Sequence, residues 1–237
     1  MSLRIDLNAD LGEGFDDAAI MPCLSSCNIA CGGHAGDAAS MRAAVALAVS
    51  HGVAVGAHPG FPDRPGFGRL VTTRDLVAIA ALVSEQIGAL AAIAAEAGVT
   101  LSHVKPHGAL YHLAATDDSV ASAVARAVRR VDPGLAMYGL AGSLALPVAR
   151  AEGLHAVAEG FADRAYLADG GLAPRGAAGA LIGDPERAAA QAVRLAREVD
   201  TLCLHGDTPG AVVIARRVRA ALAAAGFHVA CPRPPLY

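Results

Sequence analysis

His103-Val104-Lys105-Pro106-His107-Gly108-Ala109-Leu110-Tyr111 follows Val99-Thr100-Leu101, an apolar, β-branched lead-in that reads as a strand entering a loop. Side chains of an extended chain alternate between two faces. His103, Lys105 and His107 therefore share one face, with Val104 and Pro106 on the other. Lys105 is the only lysine in the chain; every other cationic side chain that stays charged is arginine. A guanidinium is always charged and forked, whereas an ammonium is a compact charge that burial can tune. A salt-bridged core lysine between two surface histidines is the plainer alternative.

Other strands with polar ends lie on both sides. Ile5-Asp6-Leu7-Asn8-Ala9-Asp10 alternates strictly, so Asp6, Asn8 and Asp10 share a face before Gly12-Glu13-Gly14 turns the chain. Such a carboxylate ladder is costly to bury unless donors, cations or metal meet it. Asn28–Cys31 reads as a second strand, followed by Gly32-Gly33-His34-Ala35-Gly36-Asp37, where glycines let backbone approach a ligand and Asp37 caps a helix over 38–50. Val53–His58 reads as a third strand, followed by a loop over 59–69 with two phenylalanines and the arginines Arg64 and Arg69. A helix is expected over 74–97, and another from Asp117 to Val131. Strands follow at 135–140 and 155–159, then a long loop over 160–183 carrying Asp163, Arg164 and Arg175. Loops this long in compact folds are usually functional, and this one reads as a lid. A helix over 185–198 leads to Thr201–His205, then Asp207 or Thr208 caps the last helix, and 227–230 forms a final short strand.

Short apolar strands alternating with helices mean βα units and a parallel sheet. Asp10, His34, His58, Lys105, His107, Glu159, Asp163, His205 and Asp207 all fall at or just past strand C-termini. In a closed parallel barrel those ends form one rim, where catalytic groups belong. The expectation is a single β/α barrel over 1–237.

The length of 237 residues suits such a barrel. Net charge is −3 with no basic run, which argues against a nucleic-acid partner. Glu85-Gln86 interrupts the longest apolar run, Val77–Ala95, so no membrane span is expected, and the start lacks a signal-peptide core; a cytoplasmic protein is expected. The five cysteines include no C-x-x-C pair and read as reduced core thiols.

Asn8–Gly14, Asn28–Asp37, Gly56–Pro59, Phe61–Arg64, Val104–Gly108, Phe161–Arg164 and Cys203–Asp207 together resemble the LamB/YcsF family, in order and over almost the whole chain. The resemblance implies a distorted seven-stranded TIM-like barrel of the glycoside hydrolase/deacetylase type. It also implies an activity, ATP-driven hydrolysis of 5-oxo-L-proline (pyroglutamate) to L-glutamate, carried out with partner subunits B and C. ATP, with Mg2+, is then a cosubstrate. One departure is His112, which follows Tyr111 where asparagine is expected.

For that chemistry, Lys105 would stabilise the oxyanion or phosphate, Asp10 with Glu13 would act as base, and His58 and His107 would move protons. Arg64 or Arg164 would fork onto the substrate carboxylate. Asn8, Asn28, His34, Asp37, Tyr111, Asp163, His205 and Asp207 complete the expected substrate-binding set. Two alternatives stand beside this. Asp10, His34 and His58 would hold a divalent metal in a deacetylase or amidohydrolase. Or the chain binds substrate inertly for its partners. The sequence leaves homo-oligomerisation open.

Overall fold

The computed structural model describes residues 3–232. Its strands are β1 (Leu3–Leu11), β2 (Ser26–Ala30), β3 (Ala54–His58), β4 (His103–Val104), β5 (Ala136–Leu140), β6 (His155–Phe161), β7 (Thr201–His205) and β8 (Phe227–Val229). The helices are α1 (Asp17–Ile20), α2 (Ala38–His51), α3 (Leu76–Glu96), α4 (Gly108–Thr116), α5 (Asp118–Val131), α6 (Ala145–Ala151), α7 (Pro185–Leu195) and α8 (Ala211–Ala224). Strands β1 to β7 pair in parallel in sequence order, and β1 also pairs with both β2 and β7. The sheet therefore closes into a seven-stranded barrel. β8 lies outside that ring, alongside Leu3–Ile5 of β1.

Alternation along the strands divides the molecule into two environments. Ile5, Leu7, Ala9 and Leu11 point outward into the main apolar cluster between sheet and helices. Asp6, Asn8 and Asp10 point inward, and all three are buried. Ser26, Asn28, His103, Lys105, Tyr138, Glu159, Thr201 and Cys203 join them along the barrel axis, so this interior is a hydrogen-bonded column rather than an apolar plug. Gly56 makes room for the column: a Cβ there would collide with the His103 ring.

Several boundaries differ from the sequence reading. β4 is only two residues long, because Val99–Leu101 takes no strand pairing, and Tyr111 sits on α4 rather than on a strand end. The N-cap of α8 is Gly210, in the left-handed region at φ 78°, whereas Asp207 and Thr208 are committed to side-chain contacts. The turn glycines near His34 serve packing as well: a Cβ on Gly33 would lie 2.5 Å from the Gly60 carbonyl.

By length and composition α3 passes for a membrane span, with 21 residues and a mean hydropathy of 2.0 in its most apolar stretch. Its Ile79, Val83, Ile87, Leu90 and Ile93 are buried in the core. Gln86, expected to interrupt the apolar run, is buried and clamps the loop after β3: its Nε2 donates to Gly60 O at 2.8 Å, and its Oε1 accepts from Gly60 N at 3.0 Å.

Candidate active site

The C-terminal rim of the barrel opens into a cavity of about 230 Å³. Asp10, Glu13, His58, Lys105, His107, Tyr111, Arg164, His205 and Asp207 line it, all of them anticipated from the sequence. Phe67, Arg69, His112, Phe161 and Arg175 also line it; they lie in the loops expected to wall the site or follow Tyr111, but none belongs to the expected site set.

Lys105 occupies the floor. Its Nζ lies 3.0 Å from Asp10 Oδ1, 3.0 Å from Glu159 Oε1 and 3.0 Å from Cys203 Sγ. Burial opposes the ammonium charge, but the Asp10 and Glu159 carboxylates outweigh it and hold the lysine pKa well above its ordinary value. Burial likewise opposes the Asp10 carboxylate, yet His58 and Lys105 bring its pKa well below the usual range. Asp10 is thus a weak base, suited to holding cations in place. Glu159, absent from the expected set, pairs its charge with Lys105 and accepts from Asn8 Nδ2 at 3.1 Å and from Tyr111 OH at 2.8 Å. The signal for it was its place at the end of β6.

Beside the lysine stands a histidine cluster. His58 Nδ1 donates to the Lys105 carbonyl at 2.7 Å, and His107 Nε2 donates to the Phe67 carbonyl at 2.8 Å. A carbonyl only accepts, so both of these nitrogens carry hydrogen. The remaining nitrogens, His58 Nε2 and His107 Nδ1, face one another at 3.0 Å. Two lone pairs cannot share that gap; a proton or a cation must lie between them. Burial, His58 and His34 all push the His107 pKa down, while Asp10 and Glu13 overcome burial to raise that of His58. The proton therefore belongs to His58, an imidazolium whose Nε2 also lies 3.4 Å from Asp10 Oδ2. His34 stacks on His107 with ring centroids 3.6 Å apart, and its Nε2 bonds Glu13 Oε1 at 2.8 Å. Burial lowers the His34 pKa, and its Nδ1 is buried without a partner among the described residues. Phe67 supplies its carbonyl from a left-handed backbone, φ 56°, a conformation that strains a bulky residue and often marks a functional site.

The mouth is cationic. Arg175 Nη1 and Arg69 Nη2 meet the same oxygen of Asp207, at 2.6 and 3.2 Å. Arg164 is 4% exposed, donates to the Ala173 carbonyl at 2.6 Å and, among the described residues, leaves its Nε without a partner. Burial and Arg175 lower its pKa, and burial, Arg164 and Arg175 do the same to His112. Asp163 lies beneath the cavity, where it accepts from His205 Nδ1 at 2.9 Å and Thr208 Oγ1 at 3.0 Å and so orients His205.

The structure relocates several expected residues. Arg64 is exposed and donates to the Gly32 and Gly36 carbonyls, outside the cavity, because the loop after β3 turns it away. Asp37 is exposed and spends its carboxylate capping α2. Asn8 and Asn28 lie below the floor, bonded to Glu159 and Asp10, the carboxylates that hold Lys105. The expected metal set Asp10, His34 and His58 separates. Among the described residues, Glu13, His34, His58 and His107 form one group with ligand atoms within 4.8 Å of one another, and Asp10, Cys203 and His205 form another. The first group, three imidazoles and a carboxylate, has the donor chemistry of a zinc-like ion.

Residues 5–235 match the model of the LamB/YcsF family. The chain is 50% identical to a protein of Heliobacterium modesticaldum named as the A subunit of 5-oxoprolinase, across 96% of this chain and 97% of that one. A crystal structure of a lactam utilization protein from Thermus thermophilus superposes with a TM-score of 0.90 at 46% identity, covering 96% of this chain and 99% of that chain. A family 4 carbohydrate esterase from Streptomyces lividans shares the fold alone, with a TM-score of 0.54 at 14% identity over 95% of this chain and 91% of that one. The chain is a member of the LamB/YcsF family.

Proposed function

We propose that this chain is the A subunit of an ATP-dependent 5-oxoprolinase, hydrolysing 5-oxo-L-proline to L-glutamate together with subunits B and C. The observation that carries the reading is the Lys105 ammonium held between Asp10 and Glu159 at the floor of a cavity sized for a small molecule. Identity of 50% to a protein of that name, over nearly the full length of both chains, supports it. Use of ATP is in keeping with a cytoplasmic reaction.

Charge sets the orientation of the substrate. The floor balances its cations against Asp10, Glu13 and Glu159, whereas the mouth sets three arginines against Asp207. The carboxylate of 5-oxoproline then faces Arg164 and Arg175, and the lactam oxygen faces Lys105. An unstrained lactam resists water, so ATP, with Mg2+ to screen its phosphates, transfers its γ-phosphoryl group to the lactam oxygen and ADP departs. A first water, deprotonated at Glu13, attacks the activated carbon. His58 gives its proton to the ring nitrogen as the C–N bond breaks, and the hydroxyl left by the water passes its proton to the freed amine as the carbonyl re-forms, so collapse opens the ring instead of expelling phosphate. A second water releases glutamate and phosphate from the resulting acyl phosphate. Lys105 stabilises the negative charge that builds on oxygen.

A second reading rests on the gap between His58 and His107. A divalent metal in place of the proton would give a metal-dependent deacetylase or amidohydrolase. Glutamate release from 5-oxoproline and ATP, measured with the isolated chain and with the chain reconstituted with both partner subunits, tests the proposal. Turnover only in the complete assembly, abolished by Lys105→Ala or Asp10→Ala, is expected. Unchanged turnover in either variant would overturn the assignment, and ATP-independent, metal-dependent hydrolysis would favour the second reading.

A further inference from the structure

Beneath the reacting centre, Asp6 is 1% exposed and gathers four hydroxyl groups. Ser25 Oγ donates to Oδ1 at 2.6 Å; Ser26 Oγ, Thr201 Oγ1 and Tyr138 OH donate to Oδ2 at 2.7, 2.6 and 3.1 Å. None of these atoms touches the cavity.

The consequence travels upward through single hydrogen atoms. A threonine hydroxyl has one proton. Thr201 spends it on Asp6, so its oxygen can only accept from Asn8 Nδ2, at 2.7 Å. The same Nδ2 gives its other hydrogen to Glu159 Oε1, at 3.1 Å. Asn8 Oδ1 therefore points the other way and accepts from Asn28 Nδ2, at 2.8 Å. Asn28 Nδ2 also donates to Asp10 Oδ1, at 2.8 Å, and its Oδ1 accepts from His103 Nε2, at 2.8 Å. Donation runs outward from His103 through Asn28 and Asn8; one branch ends on Asp6 through Thr201, and the others end on Asp10 and Glu159, the two carboxylates that hold Lys105.

We propose that Asp6 is a positioning residue for the reaction: through Thr201 and Asn8 it fixes how Glu159 and Asp10 meet Lys105. The inference rests on the 5-oxoprolinase reading of the site. What matters is an acceptor oxygen at Oδ2, not the charge, because a neutral carbonyl oxygen there receives the same three hydroxyl groups.

The experiment compares Asp6→Ala with Asp6→Asn in the complete complex, by steady-state kinetics. Asp6→Ala is expected to lower kcat at least 10-fold and leave KM for 5-oxoproline within about 2-fold. Asp6→Asn, which keeps an oxygen in place, restores kcat to within about 3-fold of wild type. Where Asp6→Ala fails to fold, Thr201→Val against Thr201→Ser makes the same comparison, with serine retaining the hydroxyl. Normal kcat in Asp6→Ala or Thr201→Val overturns the inference, as does equal loss in Asp6→Ala and Asp6→Asn, or a rise in KM alone. A wild-type complex without turnover overturns the underlying reading instead, so the two failures are distinct.

Discussion

Lys105 Nζ donates to Cys203 Sγ at 3.0 Å, as it does to Asp10 Oδ1, while Glu159 Oε1 stands 3.0 Å away as its other ionic partner. A thiol is the weakest of the three partners, and burial keeps it protonated. It is the partner that an incoming lactam oxygen displaces most easily.

Cys203→Ser therefore weakens substrate binding. The hydroxyl is a better acceptor, and displacing it costs about 1 kcal/mol more, or roughly a 5-fold rise in KM. Cys203→Ala removes the competitor and lowers KM, with kcat little changed in either variant. Steady-state kinetics of the complex check this. Equal KM in the serine and alanine variants would mean that substrate does not reach Lys105 from this side.

Replacing Lys105 with Met leaves Asp10 and Glu159 buried and facing one another without their cation. Breaking one member of a buried ion pair destabilises by about 3–5 kcal/mol, and loss of an electrostatic stabiliser lowers kcat by roughly 10²–10³. Urea unfolding and turnover on the same preparation measure both. Wild-type stability with lost turnover would make the ammonium purely catalytic; the reverse would make it purely structural.

Much of this was legible in the sequence because the barrel converts a linear pattern into a place. Strict alternation in β1 announced that Asp6, Asn8 and Asp10 share a face, and parallel closure turns strand ends into one rim. What closure does to depth was not legible. Asn8 and Asp10 are two residues apart, yet one lies under the floor and the other lines the cavity. Arg64 and Arg69 occur in the same turn-rich loop, and only its fold decides that Arg69 reaches the mouth while Arg64 is tied to the Gly32–Gly36 turn. Glu159 had the right strand-end position but no motif around it to raise it above Asp163.

Stability falls in mild acid, and buried neutral imidazoles cause it. Burial drives the His103 pKa down to about 3, and burial with His58 and His34 drives that of His107 below its ordinary value. A depressed base contributes stability that is present above the unfolded pKa, about 6.5, and is lost as pH falls. Each of these two histidines then removes about 2 kcal/mol by pH 5. His58 has the opposite sign: its raised pKa gives stability that is full below about 6.5 and fades as pH rises through the folded value. With His34 and His112 also depressed, the acid-labile groups outnumber it. Urea midpoints at pH 7.5 and 5.0 should differ accordingly, and His107→Asn should shrink the difference. Equal stability at both pH values would contradict the neutral assignments.

The 3.0 Å gap between His58 Nε2 and His107 Nδ1 makes a prediction about metal. The proton there and a zinc-like ion compete for the same pair of lone pairs, with Glu13 and His34 ready as further ligands. Zn2+ added to the complex should therefore inhibit by displacing the proton that His58 delivers. Because binding releases that proton, inhibition should weaken as pH is lowered. Titration calorimetry in two buffers of different ionisation enthalpy reads the proton directly, and His107→Ala should abolish both the binding and the inhibition. If chelator treatment instead removes activity and Zn2+ restores it, the ion is a working part of the site and His58 is a ligand rather than an acid.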